Sequence, residues 1–173
     1  RWGIHVYVQK PLTHTVWEAR QLAELARKNN ICPQMGNQGT ASDGIREGAE
    51  YMQAGGLGEV KEIHAWTNRP VWPQAPGITA RPGETMEVPD YLDWDSFIGP
   101  APMRPYNSCY TPFKWRGWLD YGTGALGDMA CHTTNLAFMG LGLTQPTSLE
   151  SVNTGPINDE TFPAWATIHM QFP

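Results

Sequence analysis

The stretch from Ile4 to Gly36, IHVYVQKPLTHTVWEARQLAELARKNNICPQMG, constrains the fold of this 173-residue chain more than any other. Ile4 to Val8 reads as a short apolar strand. Thr15 and Glu18 then make a capping box, in which a hydroxyl and a carboxylate satisfy the free amide donors at a helix start. Val16, Ala19, Leu22, Ala23 and Ala26 follow at helical spacing, while Glu18, Arg20, Glu24, Arg27 and Lys28 lie mostly outside that stripe. Asn29 and Asn30 end the helix, and Ile31 to Met35 form a second strand closed by Gly36. A strand, a helix and a strand in so short a span make a βαβ unit, whose strands run parallel through a right-handed crossover.

Beyond this unit the pattern predicts a helix over Asp43 to Gln53, stopped by Gly55 and Gly56. Val60 to Thr67 reads as a longer strand. From Pro70 to Pro112 proline and glycine are frequent, and RPVWPQAPGITARPGETMEVPDY is an irregular excursion unsuited to helix or central strand. Long ordered loops of this kind are more often functional than decorative. The glycine-punctuated DYGTGALGD leads into a helix expected from about Asp128 to Met139. TSLESVNTG and AWATIHMQF read as two antiparallel strands. The shift in character near Gly58 marks the domain boundary, between residues 1–57 and 58–173.

Bulk properties exclude several functions. A net charge of −5 and a pI near 5.5, with basic residues scattered, argue against nucleic acid, which requires clustered Lys and Arg. No apolar run approaches the roughly 18–20 residues of a membrane helix. Cys32, Cys109 and Cys131 are too few and too far apart for a disulfide framework, and no CxxC pair offers a structural zinc site. RWGIHVYV enters a strand pattern at once, without a methionine, and ATIHMQFP stops within or just after another. Both read as cut ends, which puts any localisation signal outside these residues.

Three features carry possible chemistry. Lys10 stands just past the carboxyl end of the first strand and Asn37 just past that of the second, and in an open parallel sheet ligands bind in the crevice beyond those ends. Pro11 restricts Lys10 to extended conformations. The ammonium either stabilises an oxygen that develops negative charge or snorkels to solvent, and spacing does not separate these readings. Asp128 and His132, in GDMACHTTN, share a face if the segment is helical. The imidazole can then exchange a proton near neutral pH while the carboxylate orients it. A capping aspartate beside a core histidine, the commoner arrangement, fits the same spacing, and a metal site would need a third ligand. Finally, PFKWRGWLDY interleaves Trp115, Trp118 and Tyr121 with Lys114 and Arg116, an aromatic wall with cationic tips suited to a sugar or an acid. Trp118 and Tyr121 are better read as core. Trp72, in the proline-rich loop, has fewer structural excuses.

These features, in this order, resemble the glucose–fructose oxidoreductase / inositol dehydrogenase family (Gfo/Idh/MocA). Its Glu-Lys-Pro signature corresponds to Gln9-Lys10-Pro11, and its Asp-x-x-x-His to Asp128 and His132 after YGTGALGD. NQGTASDGIREGAEYMQAGGLGEV resembles the helix that links the family's domains. LDWDSFIGPAP and FKWRGWLDYGTGALGDMACH are similar to a subgroup frequent in environmental bacteria. The resemblance implies an α/β fold: the C-terminal part of a Rossmann dinucleotide-binding domain over residues 1–57, then a partial α+β domain with a mostly antiparallel sheet over 58–173. Two departures stand out. Gln9 replaces the family's Glu, and no GxGxxG occurs, so the glycine turn that seats the pyrophosphate is expected upstream and this segment alone is expected to be inactive.

The resemblance further implies a dehydrogenase acting on the CH–OH group of a sugar or polyol with NAD or NADP. Lys10, Asp128 and His132 would be catalytic. Gln9, Lys10, Pro11 and Asn37 would meet the cofactor, and Trp72, Trp115 and Arg116 the substrate. No metal, nucleic-acid or membrane partner is implied. A homo-oligomer is, in the bacterial cytoplasm, or in the periplasm if an export signal precedes these residues. An NAD-dependent glycosidase of the same fold with no net redox change, or a non-catalytic sugar-binding protein, are the alternatives.

Overall fold

The computed structural model describes residues 2–70 and 77–173. The capping box is present. Thr15 Oγ1 accepts from the Glu18 amide at 3.2 Å, and Glu18 Oε2 accepts from the amides of Thr15 at 2.8 Å and His14 at 2.9 Å. These donors, Thr15 foremost, hold the Glu18 carboxyl below its ordinary pKa. Helix α1 (Val16–Asn29) ends where Asn30 turns left-handed at φ 50°, a conformation Asn tolerates better than most residues. It joins β1 (Val6–Gln9) to β2 (Pro33–Gly36). The strands pair in parallel, Val6 opposite Pro33 and Gln9 opposite Gly36. The βαβ unit is as expected, with each strand lying slightly further along the chain.

Helix α2 (Asp43–Gln53) has the expected limits. Gly55, at φ 79°, donates to the Met52 carbonyl, and Gly56 to that of Tyr51. That paired capping satisfies carbonyls a helix end leaves free, and the first position favours glycine. The chain divides into two compact units: Arg1–Thr67 with Met129–Leu149 and Met170–Pro173, and Asn68–Asp128 with Glu150–His169.

In the first unit α2 packs on α5 (Asn135–Leu141) through small residues. A Cβ on Gly48 would meet Leu136 Cδ1 at 3.1 Å, and one on Gly140 would meet Met52 Sδ at 2.6 Å. Gln53 Nε2 donates to the Met139 carbonyl at 3.0 Å.

The second unit holds an aromatic core of Trp94, Ile98, Tyr106, Tyr110 and Trp118, with Tyr121 packed against it. Trp118 is fully buried, so the core reading of Trp118 and Tyr121 holds. Helix α3 (Trp94–Ile98) supplies two of these residues. The Asp93 carboxylate caps it, accepting from the Ser96 amide at 3.1 Å and hydroxyl at 2.7 Å. Beside the rings lies Arg104, 4% exposed. Its Nη2 is 2.5 Å from Asp120 Oδ2 and 3.0 Å from Glu160 Oε2.

Strands β3 (Ser148–Thr154) and β4 (Ala166–Gln171) form the other two-stranded sheet. The Thr147 amide donates to Gln171 at 2.7 Å and the Gly155 amide to Trp165 at 2.9 Å. Opposite ends therefore meet, and the strands run antiparallel, as expected.

Two expectations need correction. Val60 to Thr67 forms no strand. Ile63 is 44% and Trp66 81% exposed, so these apolar side chains do not pack on a surface as a half-buried strand would require. The helix expected from Asp128 to Met139 is two helices, α4 (Gly124–Thr133) and α5. α4 starts four residues earlier than expected, at Gly124, whose φ is 61°. At the junction the Thr134 hydroxyl and amide both donate to the Ala130 carbonyl, at 2.7 and 3.0 Å.

Candidate functional site

Because Gln9 lies opposite Gly36, the next residues, Lys10 and Asn37, leave the two strands side by side. Gln9 is exposed, while Lys10 and Pro11 are half-buried and joined by a cis peptide. Asn37 is buried, 9% exposed. Its Nδ2 donates to the backbone carbonyl of Cys131 and, at 3.3 Å, to Thr40 Oγ1, which also accepts from Asn135 Nδ2 at 2.7 Å. A carbonyl only accepts, so this bond fixes the amide's orientation and leaves Oδ1 as the free end. Asn37 Oδ1 has no hydrogen-bond partner among the described residues. Asn37 lines a cavity of about 350 Å³ together with Thr40, Cys131, Thr134 and Asn135.

Cys131 precedes His132 on α4, so the Asn37 bond brings the last turn of that helix to the carboxyl ends of β1 and β2. Lys10, Asn37 and the His132 turn are thereby gathered in one unit. His132 is half-buried, and Asp128 lies four positions earlier on the same helix, hence on its face. The spacing of Asp128 and His132 is therefore helical, as the sequence required.

Asp128 is 5% exposed, and Arg116 Nε lies 3.3 Å from its Oδ1. Arg116 leaves a 3₁₀ turn, Lys114–Gly117, and its guanidinium carbon sits 4.6 Å from the Trp115 ring centroid and 4.8 Å from that of Phe113. Trp115 is half-buried under that guanidinium. Trp72 lies outside the described residues. Among the described residues no three His, Cys, Asp or Glu side chains are placed to hold a metal ion, and Cys32, Cys109 and Cys131 form no disulfide. No helix among them is long and apolar enough to cross a membrane.

Sequence reasoning missed two relationships. The Asn37–Cys131 tie joins positions 94 apart, for which no local pattern exists. The Arg116–Asp128 pair had one usable sign, the glycine turn between them. A Cβ on Gly122 would lie 2.2 Å from the Arg116 carbonyl oxygen, so the chain folds back tightly there.

Residues 75–173 match the model of an oxidoreductase family's C-terminal alpha/beta domain, which defines the protein as an α/β oxidoreductase. The chain belongs to the Gfo/Idh/MocA family, as its motifs suggested. No curated protein matches it.

Proposed function

We propose that this oxidoreductase transfers a hydride between the carbinol carbon of a sugar or polyol and NAD or NADP. One observation carries the reading: the parallel register of β1 and β2 and the Asn37–Cys131 bond gather Lys10, Asn37 and the His132 turn at one end of the strand pair. His132 takes the proton from the substrate hydroxyl, and the Lys10 ammonium stabilises the charge that develops on that oxygen. Asp128, buried on the same face of α4, orients His132.

The residues present fit the nicotinamide end of such a cofactor. Asn37 Oδ1 is a buried acceptor with no partner among the described residues, suited to a carboxamide N–H or a ribose hydroxyl. Gln9 and Pro11 flank Lys10 and complete that side. When bound, the nicotinamide supplies the hydride acceptor. Residues 1–57 are then the end of the dinucleotide-binding domain, and 58–173 belong to the substrate domain, with its larger antiparallel sheet and its role in a homo-oligomer.

The test uses the full-length protein. Lys10→Met and His132→Ala each lower turnover by about 10²–10⁴-fold, with circular dichroism and thermal melting unchanged. Wild-type turnover in both variants would refute the assignment. NADH or NADPH accumulates during turnover; sugar cleavage without either would favour a glycosidase, and sugar binding indifferent to both substitutions a non-catalytic protein.

A further inference from the structure

We propose that Arg116 is a positioning residue that holds Asp128, and through it the His132 end of α4, and that it does not touch the sugar. This rests on the roles given above to Asp128 and His132.

Three observations within one compact unit support it. Arg116 Nε meets Asp128 Oδ1 at 3.3 Å, with the two side chains 22% and 7% exposed. The guanidinium is stacked on Trp115 and Phe113, and its Nη1 donates to the Phe113 carbonyl at 3.4 Å. The guanidinium thus has the Asp128 carboxylate on Nε, the Phe113 carbonyl on Nη1 and two rings against it, partners that hold its fork in one orientation.

The third observation concerns the backbone. Gly122 fits against Arg116 so closely that a Cβ there would lie 2.2 Å from its carbonyl oxygen and 2.6 Å from its Cα. The Gly122 amide donates to the Trp118 carbonyl at 2.8 Å, closing the turn that opens α4 two residues later. The segment before α4 is therefore pressed on the backbone of the residue whose side chain reaches α4 one turn further on. Backbone packing and ion pair fix the same distance twice. That is how a carboxylate is held in one orientation rather than merely neutralised.

The test is a double-mutant cycle in the full-length enzyme. It is read as NADH or NADPH formation with whichever member of a panel of aldohexoses and inositols the wild type oxidises best. Arg116→Gln lowers kcat by about 10–100-fold, with KM changed less than about threefold. In an Asp128→Asn background the same substitution changes kcat by less than about threefold. Arg116→Lys, which keeps the charge but loses the stacked fork, falls between Arg116→Gln and wild type. A rise in KM at unchanged kcat would overturn the proposal, because the guanidinium would then contact substrate. Equal losses in both backgrounds would also overturn it, since a merely structural Arg116 slows both alike. If Asp128→Asn alone turns over at the wild-type rate, the role of Asp128 fails, and this proposal with it.

Discussion

The side-chain amide of Asn37 donates to the backbone carbonyl of Cys131, joining the end of β2 to the last turn of α4. Asn37 follows Gly36, whose partner in register, Gln9, is followed by Lys10, and the residue after its acceptor is His132. One hydrogen bond thus relates the first part of the chain to the helix that carries the proposed acid–base pair.

Removing that bond has a defined consequence. Asn37→Leu keeps the volume but removes the side-chain donor to the Cys131 carbonyl, and the loss of that hydrogen bond costs about 0.5–1.5 kcal/mol. Urea unfolding of the variant is expected to show a lower midpoint at an unchanged slope.

The glycines separate by what faces them. At Gly122 an added methyl meets immovable backbone, 2.2 Å from the Arg116 carbonyl oxygen. Gly122→Ala is expected to cost about 3 kcal/mol. At Gly48 the methyl meets only the mobile end of Leu136, at 3.1 Å. The helical preference for Ala offsets that contact, and Gly48→Ala is expected within about 1 kcal/mol of wild type. Parallel denaturation curves compare the two.

Arg104 is the charged centre of the second unit, paired with Asp120 and Glu160, while Arg81 also reaches Glu160 at 2.6 Å. Replacing one member of a buried pair leaves its partners uncompensated. Arg104→Leu is therefore expected to lower stability by about 3–5 kcal/mol, as measured by chemical denaturation.

Tyr121 adds a dependence on alkaline pH. Burial pushes its hydroxyl up to about 12, against about 10 in an unfolded chain. Between those values the folded state holds a proton that the unfolded state has shed, so stability falls as pH rises from about 10 to about 12 and is fully present below. Tyr121→Phe is expected to flatten that decline. Burial raises the neighbouring Tyr110 as well, so some slope remains.

What could be read from the sequence was local. The Thr15–Glu18 box, the Asn30 and Gly55 caps and the parallel strand pair follow from rules spanning a few residues, and each is in place. Asp128 and His132 on one helix were legible for the same reason. Val60 to Thr67 was misread because alternation announces a strand only where a partner exists to pair with it. α3 was hidden in a proline-rich stretch, although Asp93 and Ser96 form a capping pair around Trp94. The contacts that turn a list of residues into a site depend on chain reversals that no periodicity encodes. Asn37 with Cys131 and Arg116 with Asp128 are both of this kind.

The central claim is that the Lys10 ammonium and the His132 imidazole act on one substrate oxygen. Turnover of the full-length enzyme carrying Lys10→Met, His132→Ala or both tests it most directly. Groups that serve the same atom in one step lose their effect together, so the double variant is expected within about threefold of the slower single. Losses that multiply in the double variant would place the two groups at separate tasks and contradict the account.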